Sequence, residues 1–331
     1  MQNAARLIDG MKGLTAMVVG DVMVDAYLWG KVDRISPEAP VPVVAVSSRS
    51  ARLGGAANVA LNLRALGATP VVLSAVGDDE NAALLKRLFT DAGLTSEGLV
   101  TTKDRRTTVK TRVISGHQHI VRVDEEDDAP LADAHGQQLL EAARRLFAAK
   151  RPDVLVFEDY DKGALTPTTI GGLIALAKEH GVPTAVDPKK RNFFEYRGAD
   201  LFKPNLKELR EGLKIDLRNG DLAAVKAAVI QLEARLGNAV SLITLSEHGV
   251  HVHGSGEEHT LPAHKREISD VSGAGDTVIA VAALCLAQSA GLRDLAELSN
   301  LAGGLVCEHV GVVPIDRDQL LREAQRLAAA P

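Results

Sequence analysis

Eight residues late in the chain, Asp270-Val271-Ser272-Gly273-Ala274-Gly275-Asp276-Thr277, combine the means to hold an anion with the means to move a proton. An apolar run, Val278–Gln288, follows at once, so the small residues Gly273, Ala274 and Gly275 stand where a helix begins. With no bulky side chains there, consecutive amide N–H groups can point outward, and the helix dipole adds to their pull on negative charge. A phosphoryl group in transit is the anion such a hole suits. Asp276, in the first turn beside it, can take the proton of an attacking hydroxyl while the amides absorb charge. A plain helix start with an acidic first turn uses the same residue types, so the octet alone leaves both readings open.

Other stretches carry polar groups at similar junctions. Gly54 and Gly55 precede the helical run Ala56–Leu66, where glycine permits a tight turn and the close approach of a sugar, and Asn58 offers a donor and an acceptor to hydroxyls. A dinucleotide loop is the competing reading, but the spacing is not Gly-x-Gly-x-x-Gly. Asn205-Leu206-Lys207-Glu208 has the spacing of a capping box. Thr244-Leu245-Ser246-Glu247-His248-Gly249 ends a strand in a glycine turn. Asp21 and Asp25 close the first strand, where open α/β sheets bind ligands and acceptor-only carboxylates suit sugar hydroxyls. Asp159 and Lys162 close another strand, and Asp187-Pro188-Lys189-Lys190-Arg191 leaves the next with clustered positive charge. The histidines, His117 and His119 among them, have no zinc spacing, and no Walker A lysine loop is present.

These groups need a scaffold that ends many strands on one side. Short β-branched runs at Ala16–Gly20, Val71–Val76, Asp153–Phe157, Pro183–Val186 and Ser241–Leu245 alternate with helix-period segments. Nearly continuous apolar strands predict a parallel sheet covered on both faces. Val250–Val252 and His259–Leu261 predict a hairpin, and three helical stretches follow. The 331 residues carry 46% hydrophobic and 24% charged residues with a formal net charge of −5, enough apolar material for one large domain spanning 1–331. No basic stripe for nucleic acid and no membrane-length apolar run occurs, and Cys285 and Cys307 read as reduced core thiols. A cytoplasmic enzyme is expected. Two segments, about 28–47 with three prolines and 107–124 with alternating polarity around a Ser-Gly turn, predict a small lid sheet. Its apolar face would need cover, and a second copy of the chain supplies it economically, so a homodimer through the lids is expected.

Taken together and in order, the motifs resemble those of the ribokinase-type (PfkB) carbohydrate kinases, and the resemblance covers nearly the whole chain. It implies a ribokinase-like α/β fold, ATP with magnesium, and Asp276 as catalytic base beside the anion hole of residues 273–275. It implies that Gly54, Gly55 and Asn58 bind the phosphate acceptor. Asn205 to Glu208 organise magnesium and nucleotide phosphates, and Thr244, Ser246 and Gly249 form the nucleotide loop, with Ser246 where glycine is usual. Asn300 matches a position lining the adenine pocket. The Asp159-Tyr160-Asp161-Lys162-Gly163 element is similar to that of phosphosugar-handling members. Activation by a monovalent cation such as K+ is common in the family, and Asp270, Ser272 and carbonyls near Gly311 are the oxygen ligands it implies.

The lid sets the substrate. Residues 34–44, Gln118–Asp124 and Gly20–Asp25 look like those of kinases acting on D-glycero-β-D-manno-heptose 7-phosphate, which make the 1,7-bisphosphate for ADP-heptose and lipopolysaccharide core synthesis. That places Asp21, Asp25, Gln118, Arg122, Asp159, Lys162 and Lys189 among the substrate residues. Arg34, Arg112, Arg122, Lys162 and Lys189 are candidates for a distal phosphate. Aromatic residues are only 3% of the chain, few for the rings a nucleoside kinase would use to stack a base. No His-x-Gly-His motif of an attached adenylyltransferase occurs, which implies the stand-alone kinase form. Another phosphosugar kinase of the 6-phosphofructokinase type, and a sugar-binding protein on the same fold, remain the alternatives.

Overall fold

The computed structural model describes residues 3–116 and 118–329. His117, read as part of the lid turn, lies outside them. The first half runs α1 (Ala4–Gly10), β1 (Thr15–Gly20), β2 (Val22–Ile35), β3 (Pro42–Gly55), α2 (Ala56–Ala65) and β4 (Thr69–Gly77). It continues with α3 (Glu80–Asp91), β5 (Leu99–Thr102), β6 (Val109–Ser115), β7 (Gln118–Glu125) and α4 (Asp133–Lys150). Next come β8 (Val154–Glu158), α5 (Pro167–Glu179), β9 (Thr184–Asp187), β10 (Leu201–Phe202), α6 (Leu206–Leu213), α7 (Leu222–Leu236) and β11 (Val240–Thr244). The chain closes with the hairpin β12 (Val250–Gly254) and β13 (Glu257–Leu261), then α8 (Ala274–Ala287), α9 (Leu292–Val306) and α10 (Arg317–Ala329).

The β-branched runs form the interior of one sheet in the order β13-β12-β11-β10-β9-β8-β1-β4-β5. Its strands are parallel except where β12 and β13 add an antiparallel edge. One face packs side chains of α1, α2, α3, α8, α9 and α10, and the other packs α4, α5, α6 and α7. Burial on both faces explains why β1 and β8 read as unbroken apolar runs. Helix α8 lies deepest: every residue from Asp276 to Cys285 is buried, so its N-terminal end is anchored in the core. Cys285 and Cys307 are buried free thiols. No helix among the described residues is long and apolar enough to cross a membrane.

The second sheet, in the order β3-β2-β6-β7, is the lid. Its strands start earlier and end later than the expected 28–47 segment. β2 and β3 are 14 residues each, paired from Val22↔Gly55 to Ile35↔Pro42. Residues 22–25, read as part of a strand-end loop, are therefore already lid strand. Pro37 and Pro40 fall in the turn, and Pro42 opens an edge strand, where a missing N–H interrupts no ladder. Two short elements, α1 and β5 (Leu-Val-Thr-Thr), were not legible because neither shows a full period of its own. The outer lid exposes Ile35, Val41, Val46, Val121 and Val123, each more than 40% accessible.

Candidate active site

Helix α8 begins at Gly273, whose φ of 81° lies in the left-handed region. A Cβ there would stand 2.9 Å from Asn58 Nδ2, so glycine is required for both conformation and space. One turn into the helix, Asp276 accepts hydrogen bonds from Asn58 Nδ2 at 2.6 Å and from the Tyr160 hydroxyl at 2.9 Å. Asn58 sits on α2, which is locked to α8 by Asn62. That side chain accepts from the Thr277 hydroxyl at 2.9 Å and the Ile315 amide at 3.0 Å, and donates to the Asn58 carbonyl at 2.9 Å. Asn58 Oδ1 remains buried without a partner. It can accept from a hydroxyl, whereas its amide is already committed to Asp276.

Burial is the main influence on Asp276 and, with the charge of Asp187, pushes its carboxyl from 3.8 up to about 6. The hydrogen bonds from Asn58 and Tyr160 and the charge of Lys203 pull the other way. Since the folded value exceeds the unfolded one, protonated Asp276 favours the fold. That contribution is present below the unfolded value and is lost as pH rises through about 6. Proton acceptance needs the ionised form, so kcat/KM for the sugar is expected to rise with pH through the same region and then level off. Tyr160→Phe removes a bond that favours ionisation, so it should move this limb to higher pH. An unmoved limb in that variant, measured by steady-state kinetics across the range, would count against Asp276 as the titrating base.

Beneath the helix start lies a ring of charge drawn from three strand ends. Lys203, 2% exposed, meets Asp187 Oδ2 at 2.7 Å. Glu158 aligns with Asp187 across β8 and β9, and burial, then the charges of Asp187 and Asp276, pushes its carboxyl well above the ordinary range. A Cβ on Gly275 would fall 3.6 Å from Asp187 Oδ2 and 3.8 Å from Lys203 Nζ, so the ion pair lies directly under the 273–275 amides. Lys189, expected on the sugar, points instead to Glu208 Oε1 at 2.6 Å, with its ammonium 5.3 Å from the Tyr160 ring centroid. It stands between the Tyr160–Asp276 pair and the Asn205–Glu208 motif.

The capping box is real: Asn205 Oδ1 accepts from the Glu208 amide and Glu208 Oε2 from the Asn205 amide, both at 2.8 Å. Both Glu208 oxygens are thus engaged. Lys207 is exposed, and Leu206 leads α6. A bridge pairs Asn205 with Thr244, bringing the two expected nucleotide motifs side by side. Ser246 holds φ 52°, the conformation for which glycine would be usual, at a cost of about 1 kcal/mol. Gly249 closes the turn, and Asn300 donates to the Pro262 carbonyl at 2.8 Å.

On the sugar side the structure corrects several expectations. Asp21 is spent on the backbone: it accepts from the amides of Tyr160, Lys162 and Ala164, each at 3.0 Å. Asp159 is buried and accepts from the Tyr196 hydroxyl at 2.7 Å, Asn192 at 3.2 Å and the Asp161 amide at 2.8 Å. Both carboxylates build the 159–164 loop and are not free for hydroxyls. Gly54 and Gly55 are small because a Cβ on each would come within 2.3 Å of Asp25 Oδ2 and the Asp21 carbonyl respectively, so strand crossing already fills the space read as room for a sugar. Asp25 pairs with Arg112, whose guanidinium also lies 5.4 Å from the Tyr27 ring centroid, as does that of Arg52 on the other lid strand. Arg122 is more than half exposed on β7 and satisfied by Asp124, with two contacts of 2.9 Å. Gln118 and Arg34 are exposed and are not brought to the site. Asp270 accepts from the Ser272 amide on Oδ1 and from the Gly311 amide on Oδ2, both at 2.9 Å, which holds these three residues side by side.

The sequence pattern of the "pfkB family carbohydrate kinase" matches residues 14–318. The chain belongs to that family. Membership makes it an ATP-dependent sugar kinase that phosphorylates an alcohol group, with a divalent metal accompanying the nucleotide. Curated relatives include the bifunctional protein HldE of Caulobacter vibrioides, 45% identical over 99% of this chain and 67% of that protein. HldE of Geobacter metallireducens is 39% identical over 97% of this chain and 65% of that protein. The chain spans about two thirds of the length of these relatives. Among solved structures, Escherichia coli phosphofructokinase-2 in complex with potassium superposes with a TM-score of 0.77 at 18% identity, covering 96% of this chain and 99% of that one. At that identity the likeness concerns the pfkB fold. Sequence reading passed over Tyr160, Asn62, Asp187, Lys203 and Glu158 as site residues. Tyr160 and Asp187 had a signal, the first inside the Asp-Tyr-x-Lys-Gly element and the second opening the Asp187–Arg191 run, each of which was read for its other charged members.

Proposed function

We propose that this kinase phosphorylates the C1 hydroxyl of D-glycero-β-D-manno-heptose 7-phosphate, giving the 1,7-bisphosphate used for ADP-heptose and lipopolysaccharide core. The supporting observation is a buried carboxylate, Asp276, held by Asn58 and Tyr160 at the helix start that supplies the anion hole. The lid residues and the HldE relatives favour the heptose phosphate over other sugars. Asn58 Oδ1 receives a sugar hydroxyl, Asp276 takes the proton of the attacking C1 oxygen, and the amides of 273–275 hold the charge that develops on the phosphoryl oxygens. Lys189 and Lys203 add positive charge on the nucleotide side.

Magnesium bridging the ATP phosphates would screen their charge. The residues suited to hold its hydration shell are Glu208 and Glu158, whose Oε2 is buried without a hydrogen-bond partner. A potassium ion near Asp270 and Ser272 belongs to the same reading. The test is ADP release with Mg-ATP, with and without potassium, against the heptose 7-phosphate, sedoheptulose 7-phosphate, fructose 6-phosphate, ribose and adenosine. Turnover of the heptose phosphate ahead of all others is expected. Preference for another sugar would discard the substrate and keep the family, and silence across the panel would favour a sugar-binding protein.

The apolar lid face, with Val121 and Val123 about half exposed, is proposed to be covered by the lid of a second copy. Light scattering is expected to give twice the chain mass, and Val121→Asp with Val123→Asp to give the single mass. A wild-type monomer would refute it.

A further inference from the structure

We propose that Lys110 and Lys162 form the seat for the second, non-reacting phosphate of the substrate, and that Glu126 occupies this seat until the substrate displaces it. The proposal rests on the kinase reading above and deepens it, because it assigns the selectivity for a phosphorylated sugar to named groups. Glu126 Oε1 accepts from Lys162 Nζ at 2.8 Å, while Oε2 lies 3.8 Å from Lys110 Nζ, buried and without any hydrogen bond. One carboxylate therefore bridges two ammonium groups and satisfies only one of them.

Placement ties this pair to the reacting centre. Lys162 belongs to the 159–164 loop that Asp21 pins through three amides, and Tyr160 in the same loop touches Asp276. The distance from the base to Lys162 is thus set by one rigid loop. Lys110 pairs in register with Asp25 and stands two residues before Arg112, so it continues the lid face that carries those side chains. Arg112 is neutralised by Asp25, Arg122 by Asp124, and Lys189 faces Glu208, which leaves Lys110 and Lys162 as the cations sharing a single anion.

Charge balance favours exchange. Within ion-pair reach two ammonium groups face one carboxylate, because Asp124, opposite Lys110 across β6 and β7, is taken by Arg122. A phosphate monoester carries about −1.5 to −2 near neutral pH and has three acceptor oxygens. Burial presses the Lys110 ammonium below its ordinary value, with Glu126 the largest opposing charge, so a fuller counter-anion is welcome there. Glu126 directly follows β7, at the point where the lid returns to the body.

The decisive comparison is the ratio of kcat/KM for heptose 7-phosphate to that for the unphosphorylated heptose. Lys110→Met is expected to lower this ratio about tenfold or more, mainly through KM of the phosphorylated sugar. Glu126→Gln keeps the shape but weakens the resident anion, so KM for the phosphorylated sugar should fall severalfold, a gain that a merely structural residue would not give. Thermal midpoints check that both variants fold. An unchanged ratio in Lys110→Met, or a raised KM in Glu126→Gln, overturns the proposal while leaving the kinase reading intact. If the wild type turns over neither sugar, calorimetric titration with heptose 7-phosphate and with inorganic phosphate decides the seat separately. Weaker binding in Lys110→Met and tighter binding in Glu126→Gln support it, and equal binding in all three proteins overturns it.

Discussion

Asp276→Asn is expected to lower kcat by about a hundredfold to ten-thousandfold, the range that general-base catalysis contributes. ATP affinity should stay close to wild type, because the lost interaction belongs to the transition state. Stability should move the opposite way from activity. Ionised Asp276 is buried near Asp187 and Glu158, and raising its carboxyl from 3.8 to about 6 corresponds to about 3 kcal/mol opposing the fold once pH exceeds both values. The neutral amide removes that penalty, and it can still face Asn58 after a side-chain flip. At pH near 8 the variant's thermal midpoint should therefore equal or exceed that of the wild type. A variant that keeps turnover within severalfold would end the assignment of Asp276 as base. One that is inactive and much less stable would mean that the residue holds the fold and that its chemistry is unproved.

Lys203→Met is expected to destabilise the protein by about 3–5 kcal/mol, measured by denaturant unfolding. The 2.7 Å pair with Asp187 is almost fully buried, at 3% and 6% side-chain exposure, so removing the ammonium strands a carboxylate in the core. That carboxylate would stand close to Glu158 and Asp276, whose charges already oppose one another. Since Lys203 helps to keep Asp276 ionised, the acid limb of the pH profile should also move to higher pH in this variant. The double variant Lys203→Met, Asp187→Asn should recover most of the lost stability, because it leaves no unpaired charge. A single-variant loss under about 1 kcal/mol would show that water reaches the pair and that burial overstates its isolation.

The contrast between these two residues marks what a sequence can disclose. The start of helix α8 beside Asp276 was legible because its small residues and its first-turn carboxylate are contiguous, and the long apolar run after them can only be a buried helix. The Asn205–Glu208 box was legible for the same reason: a cap closes on itself within one turn. Lys203, Asp187 and Glu158 were not, because each is one polar residue at the end of a different strand, and only the parallel alignment of β8, β9 and β10 makes them neighbours. Asp21 shows a subtler failure. Its place at a strand end was read correctly, but whether its oxygens face a sugar or the backbone depends on the 160–164 loop lying beneath it. The lid was foreseen as a small sheet from its prolines and alternation. Its true extent was hidden because residues 22–25 and 52–55 are buried near the body and lack the polar alternation that marks the outer part.

The two long lid strands are each single pieces of backbone that begin or end beside helix α2, at Val22 and Gly55, and reach, over about 45 Å, to the outer edge of the lid. The ladder is regular from Val22 to Trp29 and irregular at Trp29–Gly30 and Val32–Arg34, so a tilt of the far end bends there first and reaches Asp25 and Gly54–Gly55 only in part. If the sugar binds beside Asp25 as proposed, whatever grips the outer tips is coupled to it through that bend, and by reciprocity a bound sugar acts equally on that grip. If the grip is another copy of the chain, sugar affinity becomes a function of protein concentration, and dilute enzyme would need more substrate to reach half its maximal rate.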